Sequence, residues 1–363
     1  MTHREVITGE LGKRQQKQQN ASRGSLFNVG TTHNPQWLGD SSGRPVRNKL
    51  TLCETNQMGV GTRNTKRPRP KGLFVGLATL DLAYVVDKIP PRNAKISVPG
   101  QQVSAGGPAA NAAVTFAFLG GRSALVTAVG KHPLGTVIRQ DLDRSSVSVH
   151  DVARNRKEAP PVSSILVLRG SGERTVVSAN AAAFPPISFE FNPGWLTGVS
   201  IMQVDGHYMP LCIAGAQLGR SRGIPVVLDG GSWKEGMAEL LPSIDIAICS
   251  DDYRPPGCRD AGDTLEFLAE QGIRQVAITR GAAPIIYVDH RKRGKIPIAR
   301  VHPTDTLGAG DVFHGAFCYY ASQMGRSFRD SLAFAARFAT VSCLHLGSRL
   351  WMKAFPGVQA VRS

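Results

Sequence analysis

The chain has 363 residues, 42% of them hydrophobic, an ordinary globular composition that accommodates one large α/β domain with a tail or two to three smaller domains. Its formal charge of +16 would point to nucleic acid or a membrane surface if it were evenly spread, but residues 1–70 hold 12 Lys/Arg against 4 Asp/Glu, so half the excess lies in a fifth of the chain. The six cysteines form no C-x-x-C pair, no apolar run approaches the ~18 residues of a membrane helix, and the first twenty residues are too polar for a secretory signal, so a reduced, cytoplasmic protein is expected.

Residues 1–70 are rich in Gln, Asn, Gly, Ser, Arg and Lys and lack periodicity, which predicts a disordered basic extension. "KRQQKQQN" and "RNTKRPRPK" read as a solvated tail, or as sequence ahead of a start near Met58, in preference to a nucleic-acid or targeting arm. From Lys71 the texture changes, and residues 71–363 are expected to form the folded domain. "GLFVGLATL" predicts a buried strand, and "GGPAANAAVTFAFLGG" a helix with Pro108 in its first turn and Gly120–Gly121 as its stop. "SALVTAVG" reads as a strand and "PLGTVIRQDLDR" as a helix. The extended stretches "AYVVDKIPPRNAKISVPGQQVSA" and "PPVSSILVLRGSGERTVVSAN" are expected to leave the main sheet as a small β flap, its strands within about 83–104 and 160–180. Beyond them, "VSIMQVDG", "IPVVLDGG", "IDIAICSDD" and "QVAITRG" are short apolar runs ending in polar or glycine residues, with helical patterns such as "GDTLEFLAEQG" between some of them. This alternation predicts a mostly parallel sheet covered on both faces, with ligands beyond the carboxyl ends of its strands.

"PTDTLGAGDVFHGAF", from Pro303 to Phe317, predicts a helix beginning near Leu307, because Val312, Phe313, Ala316, Phe317 and Tyr320 share one face. Its first turn would hold Gly308, Ala309 and Gly310, whose bare N–H groups and helix dipole suit a phosphate or developing oxyanion, with Asp311 beside them as a base. Taken alone, the stretch reads first as a helix start whose acid favours the dipole, worth ~0.3–1 kcal/mol.

Two stretches together carry more. "DTLGAGDVFHGAF" and "SAGGPAANAAVTFAFLGG" resemble the C-terminal and N-terminal signatures of the ribokinase-like (PfkB) carbohydrate kinases, in the family's order, over about four-fifths of the chain. The resemblance implies a three-layer α/β sandwich with a β lid and Mg-ATP-dependent transfer of the γ-phosphoryl group to a sugar or nucleoside hydroxyl. Asp311 would be the catalytic base, and Gly308, Ala309 and Gly310 the anion hole. Asp81 would hold sugar hydroxyls, Gly106 and Gly107 would let substrate approach the backbone, and Asn111 would offer a donor and an acceptor. Thr279, Arg280 and Gly281 would meet ATP phosphates, and the segment with His345 and Gly347 would flank the adenine. Thr306, with Asp305, lies where some relatives hold a monovalent cation.

The chain departs from the family pattern in three places. "GKHPLG" has His132 where Asp is usual. "SDDY" replaces N-x-x-E, leaving Asp251 and Asp252 as candidates beside magnesium. "GGPAAN" lacks the lysine of "GGKGAN". That form, with "LDG" and "GLATLDLAYVVDKIP", is similar to ketohexokinase-like and sulfofructose-kinase-like members, so a ketose acceptor is expected, with Lys95 on the flap facing an anionic substituent or only solvent. A nucleoside kinase, using Tyr84, Phe116 or Tyr208 against a base, stays open, as does a scaffold binding nucleic acid or protein through the basic arm. A homodimer through the flap edges is expected, with no membrane association.

Overall fold

The computed structural model describes residues 68–98, 100–179 and 188–356, so the extension expected to be disordered lies outside the described residues, save its last three. In chain order the elements are β1 (Lys71–Val75), β2 (Thr79–Val86), β3 (Gln101–Gly106), α1 (Pro108–Phe118), β4 (Arg122–Thr127), α2 (Pro133–Arg144), β5 (Val147–Asp151), β6 (Val162–Leu168) and β7 (Arg174–Ser178). They continue with β8 (Ile201–Val204), α3 (Met209–Ser221), β9 (Val226–Gly230), α4 (Met237–Leu240), β10 (Ile246–Ser250), α5 (Ala261–Glu270), β11 (Gln275–Arg280), β12 (Ala283–Asp289), β13 (Lys292–Ile296), α6 (Ala309–Ala321) and α7 (Phe328–Ser342).

A nine-stranded sheet runs β13-β12-β11-β10-β9-β8-β1-β4-β5. It is parallel from β5 through β11, and β12 and β13 close one edge antiparallel. Successive residues of each buried strand feed opposite faces. Phe74, Ile246 and Ile248 join Phe116, Phe317 and Phe338 on the side of α1, α2, α6 and α7. Leu73, Val75, Ala247 and Cys249 join Leu211, Ala216 and Leu268 on the side of α3 and α5. Both faces are dry, which is why these strands are apolar runs without alternation.

The flap is a separate four-stranded sheet, order β3-β2-β6-β7, with β2 and β6 parallel and its two outer pairs antiparallel. Its register sets Asp81 opposite Ser104 on β3 and Ser163 on β6. Val103, Val176 and Val177 stay exposed, Val177 by 70%.

The chain runs outward from β1 through β4 to β5, then returns to β8 and runs outward the other way. The order therefore reverses between β1 and β8, where the carboxyl ends of two adjacent strands open a crevice. Helix α1 arrives there because Gly107, at φ 93, turns the chain and Pro108 occupies the first helical position. Helix α6 starts at Ala309, two residues later than expected, because Gly308 takes a left-handed φ of 71 and acts as its cap.

Candidate active site

The two glycine-rich stretches meet at this crevice. A Cβ on Gly315 of α6 would overlap the carbonyl of Ala112 on α1, so glycine there allows the two helices to cross at backbone contact. The crossing brings Asn111 to Asp311, 200 residues apart in sequence, and Asn111 Nδ2 donates to Asp311 Oδ2 at 2.7 Å. Asn111 is 3% exposed. Its Oδ1 accepts from the Arg349 guanidinium at 2.8 Å.

At the α6 tip, Val312 N–H reaches the Gly308 carbonyl at 2.9 Å and Leu307 N–H reaches Asp305 Oδ1 at 2.8 Å. Among the described residues, the N–H groups of Gly308, Gly310 and Asp311 find no acceptor, whereas that of Ala309, expected to share the anion hole, turns back to the Thr306 carbonyl at 3.4 Å. Gly310 is exposed, and a Cβ there would meet nothing within 4 Å. These amides and the Asp311 carboxylate therefore offer hydrogen-bond donors and an acceptor within one helical turn. Burial pushes the Asp311 carboxyl up from the usual carboxylate range; the Asn111 hydrogen bond, His314 and Arg174 pull it back, and Asp205 adds to the rise.

Asp81, on β2, is 7% exposed and accepts from Thr79 Oγ1 at 2.6 Å. Burial raises its pKa, hydrogen bonds from Thr79 and Ser163 lower it, Asp311 raises it and Arg349 lowers it. The resemblance gave Gly106 and Gly107 to substrate approach. In the structure, a Cβ on Gly106 would overlap the Asp81 carboxylate, and one on Gly107 would overlap the Leu77 carbonyl. Both glycines make room for the protein's own chain.

Asp205, just past β8, escaped the sequence reading. Its Oδ2 accepts from Leu77 N–H at 2.8 Å and Ala109 N–H at 3.2 Å, and its Oδ1 from His207 N–H at 3.0 Å. One carboxylate thus fastens the exit of β1 and the start of α1 to the end of β8. The available signal was an acid directly after the apolar run of "VSIMQVDG". Arg349 was missed too, because nothing local marks an arginine in a turn.

The other expected residues are distributed around this center. Thr306 Oγ1 accepts from Arg174 of β7 at 2.6 Å and donates to the Gly172 carbonyl at 3.3 Å, so the flap hairpin rests on the loop before α6. Asp305 Oδ2 accepts from Gly347 N–H at 2.7 Å, joining that loop to the turn that carries Arg349. His345 is half-buried, which lowers its pKa. Thr279 Oγ1 donates to the Cys249 carbonyl at 3.3 Å, Gly281 turns at φ 57, and Arg280 donates twice to the Pro284 carbonyl in its own hairpin. Asp251 pairs with Arg254 at 2.8 Å, and both Asp251 and Asp252 are exposed. Among the described residues, no group of three or more His, Cys, Asp or Glu could hold a metal ion. Lys95 is exposed on the segment between β2 and β3. His132, in place of the usual Asp, caps α2 by accepting from Leu134 N–H at 3.2 Å, as a carboxylate would. No described helix is long and apolar enough to cross a membrane.

Comparison with known proteins gives a consistent picture. The family model for pfkB family carbohydrate kinases matches residues 70–353. A ribokinase of Arabidopsis thaliana is 27% identical over 289 residues, 75% of this chain and 76% of that protein. A deoxyribokinase of Salmonella typhi is 22% identical over 302 residues, 78% of this chain and 95% of that one. Arabidopsis thaliana ribokinase complexed with ribose and ATP shares the fold with a TM-score of 0.64 at 24% identity, over 80% of this chain and 99% of that chain. Adenosine kinase from Sinorhizobium meliloti does so with a TM-score of 0.67 at 19% identity, over 81% and 100%.

Proposed function

Because this chain belongs to the pfkB family of carbohydrate kinases, and so transfers a phosphoryl group to an alcohol, we propose that it moves the γ-phosphoryl group of ATP to a hydroxymethyl group of a ketose or related sugar, with Asp311 as base. The observation that carries this reading is the pairing of Asp311 with the unoccupied N–H groups at the α6 tip. The sugar hydroxyl gives its proton to an Asp311 carboxylate oxygen. Its oxygen then bonds to the γ-phosphorus while the bond from phosphorus to the leaving oxygen of ADP breaks. The N–H groups of Gly308, Gly310 and Asp311 supply donors to the phosphoryl oxygens as charge develops on them. Asp81 and Asn111 form the acceptor side, with Gly106 and Gly107 leaving room beside them for the Asp81 carboxylate and the Leu77 carbonyl. Arg174, on the flap hairpin, sits at the lip of the hole through Thr306 and brings a cation toward the transferred group.

The donor side is assigned to Thr279, Arg280, Gly281, His345 and Gly347. Magnesium, when bound with the nucleotide, neutralises phosphate charge. With Asp251 already paired to Arg254 and no described metal cluster, this donor set suits an ion held chiefly by phosphates and water. A monovalent cation near Asp305 and Thr306 would be a bystander that shapes the loop, and potassium dependence of the rate tests for it. The flap acts as a lid that excludes water, and its exposed Val103, Val176 and Val177 support pairing with a second copy.

Pentose acceptors have separate support, since the ribokinase and deoxyribokinase relatives carry those names. A nucleoside acceptor has less. Phe116 is fully buried in the core and Tyr208 is 8% exposed with its hydroxyl on the Ala128 carbonyl, leaving Tyr84 of β2 among the aromatics considered. The test is ATP consumption across ketoses, anionic ketoses, ribose, deoxyribose and adenosine, with wild type and Asp311→Ala. Turnover on a ketose that vanishes in Asp311→Ala is expected; turnover confined to ribose or adenosine overturns the ketose assignment. Lys95→Ala is expected to weaken anionic sugars more than neutral ones, and an equal effect removes Lys95 from recognition.

A further inference from the structure

The Arg349 guanidinium occupies a position that neither glycine-rich stretch explains. One of its terminal nitrogens donates to Asn111 Oδ1 at 2.8 Å and to Ser348 Oγ at 2.9 Å. The other donates to the Ala105 carbonyl at 2.8 Å and lies 3.5 Å from Asp141 Oδ2. Asp141 of α2 in turn accepts from Ala105 N–H at 3.0 Å. Ala105 is next to the last residue of β3, paired with Leu80 and therefore beside Asp81. Arg349 and Asp141 thus grip both backbone polar groups of one residue, Ala105, at the base of the flap, while the same guanidinium holds the far side of the Asn111 amide.

An asparagine amide has one oxygen and one NH₂, and it can turn over. Only with the oxygen toward Arg349 does the NH₂ face Asp311. In the reverse orientation, two acceptors, Asn111 Oδ1 and Asp311 Oδ2, would confront each other, and a guanidinium would face an NH₂. A guanidinium offers donors alone, so it tolerates one orientation and opposes the other.

We propose that Arg349 is a positioning residue for phosphoryl transfer: it fixes the Asn111 amide so that its NH₂ aims the Asp311 carboxylate, and it locks this pair to the flap base through Ala105 and Asp141. The inference rests on Asp311 being the base. Of the other charged groups facing Asp311, Arg174 of β7 and His314 of α6 favour its charge, whereas Asp81 of β2, Asp205 beyond β8 and Asp229 of β9 oppose it; His207, in the loop after β8, also faces it. None of them reaches Asn111 Oδ1, so none substitutes for Arg349 in holding the amide.

The test is the pH profile of kcat for Arg349→Met and Arg349→Lys, with the full chain and the acceptor found active on the wild type. Arg349→Met is expected to lower kcat about 100-fold with KM for ATP within about twofold, since the loss falls on the transition state rather than on nucleotide binding. Its acid limb moves up by about one pH unit, because a carboxylate that loses a donor holds its proton more tightly. Arg349→Lys regains at least about tenfold of that rate by restoring one donor to Asn111. Unchanged kcat and acid limb in Arg349→Met, or a loss that Arg349→Lys does not relieve, overturns the role. If Arg349→Met does not fold, Arg349→Lys against wild type decides: kcat about tenfold lower with a raised acid limb supports it, and an unaltered profile overturns it. Asp311→Asn runs alongside. Should that variant keep wild-type kcat, the base assignment falls and this proposal with it; should it be inactive while Arg349→Met stays normal, only Arg349 loses its part.

Discussion

Around the proposed acceptor side, Asp81, Asn111 and Asp311 are each held by another side chain, and Asn111 and Arg349 span three elements within three hydrogen bonds. Around the proposed donor side, Arg280 donates to a carbonyl four residues on and Asp251 pairs three residues on, so each mainly braces its own loop. The contrast teaches where the fold has already met the cost of ordering. The acceptor groups are set by helix crossings and buried glycine contacts before any substrate arrives, whereas Arg280 and Asp251 are tied only within their own loops.

Disturbing the fastened side should therefore cost far more than disturbing the loose one. The largest effect is expected for Asp205→Ala, which leaves the N–H groups of Leu77, Ala109 and His207 without their acceptor. At about 1–3 kcal/mol for each buried unsatisfied group, stability should fall by about 3 kcal/mol or more in chemical denaturation. A loss below about 1 kcal/mol would mean that the crevice holds its shape without this carboxylate. Gly315→Ala comes next. Its methyl group would strike the Ala112 carbonyl, and overpacking of this kind costs about 1–3 kcal/mol. Because the same crossing sets the Asn111–Asp311 hydrogen bond, kcat should fall together with the melting temperature. Stability lost with kcat intact would break that link.

On the donor side, Arg174→Ala should raise KM for ATP about tenfold, since its guanidinium reaches the lip of the anion hole through Thr306, and a lost charge-assisted contact is worth about 1.5–3 kcal/mol at most. Arg280→Ala should change it by no more than about twofold, because that guanidinium is already engaged by the Pro284 carbonyl. Reversal of these two results would exchange their places in the site.

The same contrast governs what could be read from sequence. Strands of the parallel sheet were legible because dry faces on both sides force apolar runs, and α1 and α6 were legible from glycines at their starts and small residues within. The charged β13, "KRGKI", carries no apolar alternation, since it is an edge strand with much of its surface in solvent. Helix α3 was obscured by Pro210, Gly215 and Gly219, residues that break a helical pattern on paper. In the structure Pro210 lies in the first turn, and Gly215 and Gly219 lie against Phe191 and Met202. Asp311 and Asn111 could be named from their motifs, but their contact is a product of the helix crossing. Arg349 and Asp205 act on groups up to 244 and up to 128 residues away, and such partnerships leave no local trace.

The central claim is that Asp311 takes the proton of the acceptor hydroxyl, and the pH dependence of kcat for wild type and Asp311→Asn tests it most directly. A base of this kind works only when ionised, and burial raises its pKa, so wild-type kcat should decline on the acid side with an apparent pKa above the ~3.9 of an ordinary aspartate. Asp311→Asn should lose that limb and run about 10³–10⁴-fold slower. An Asp311→Asn enzyme that keeps wild-type turnover and the same acid limb would contradict the account.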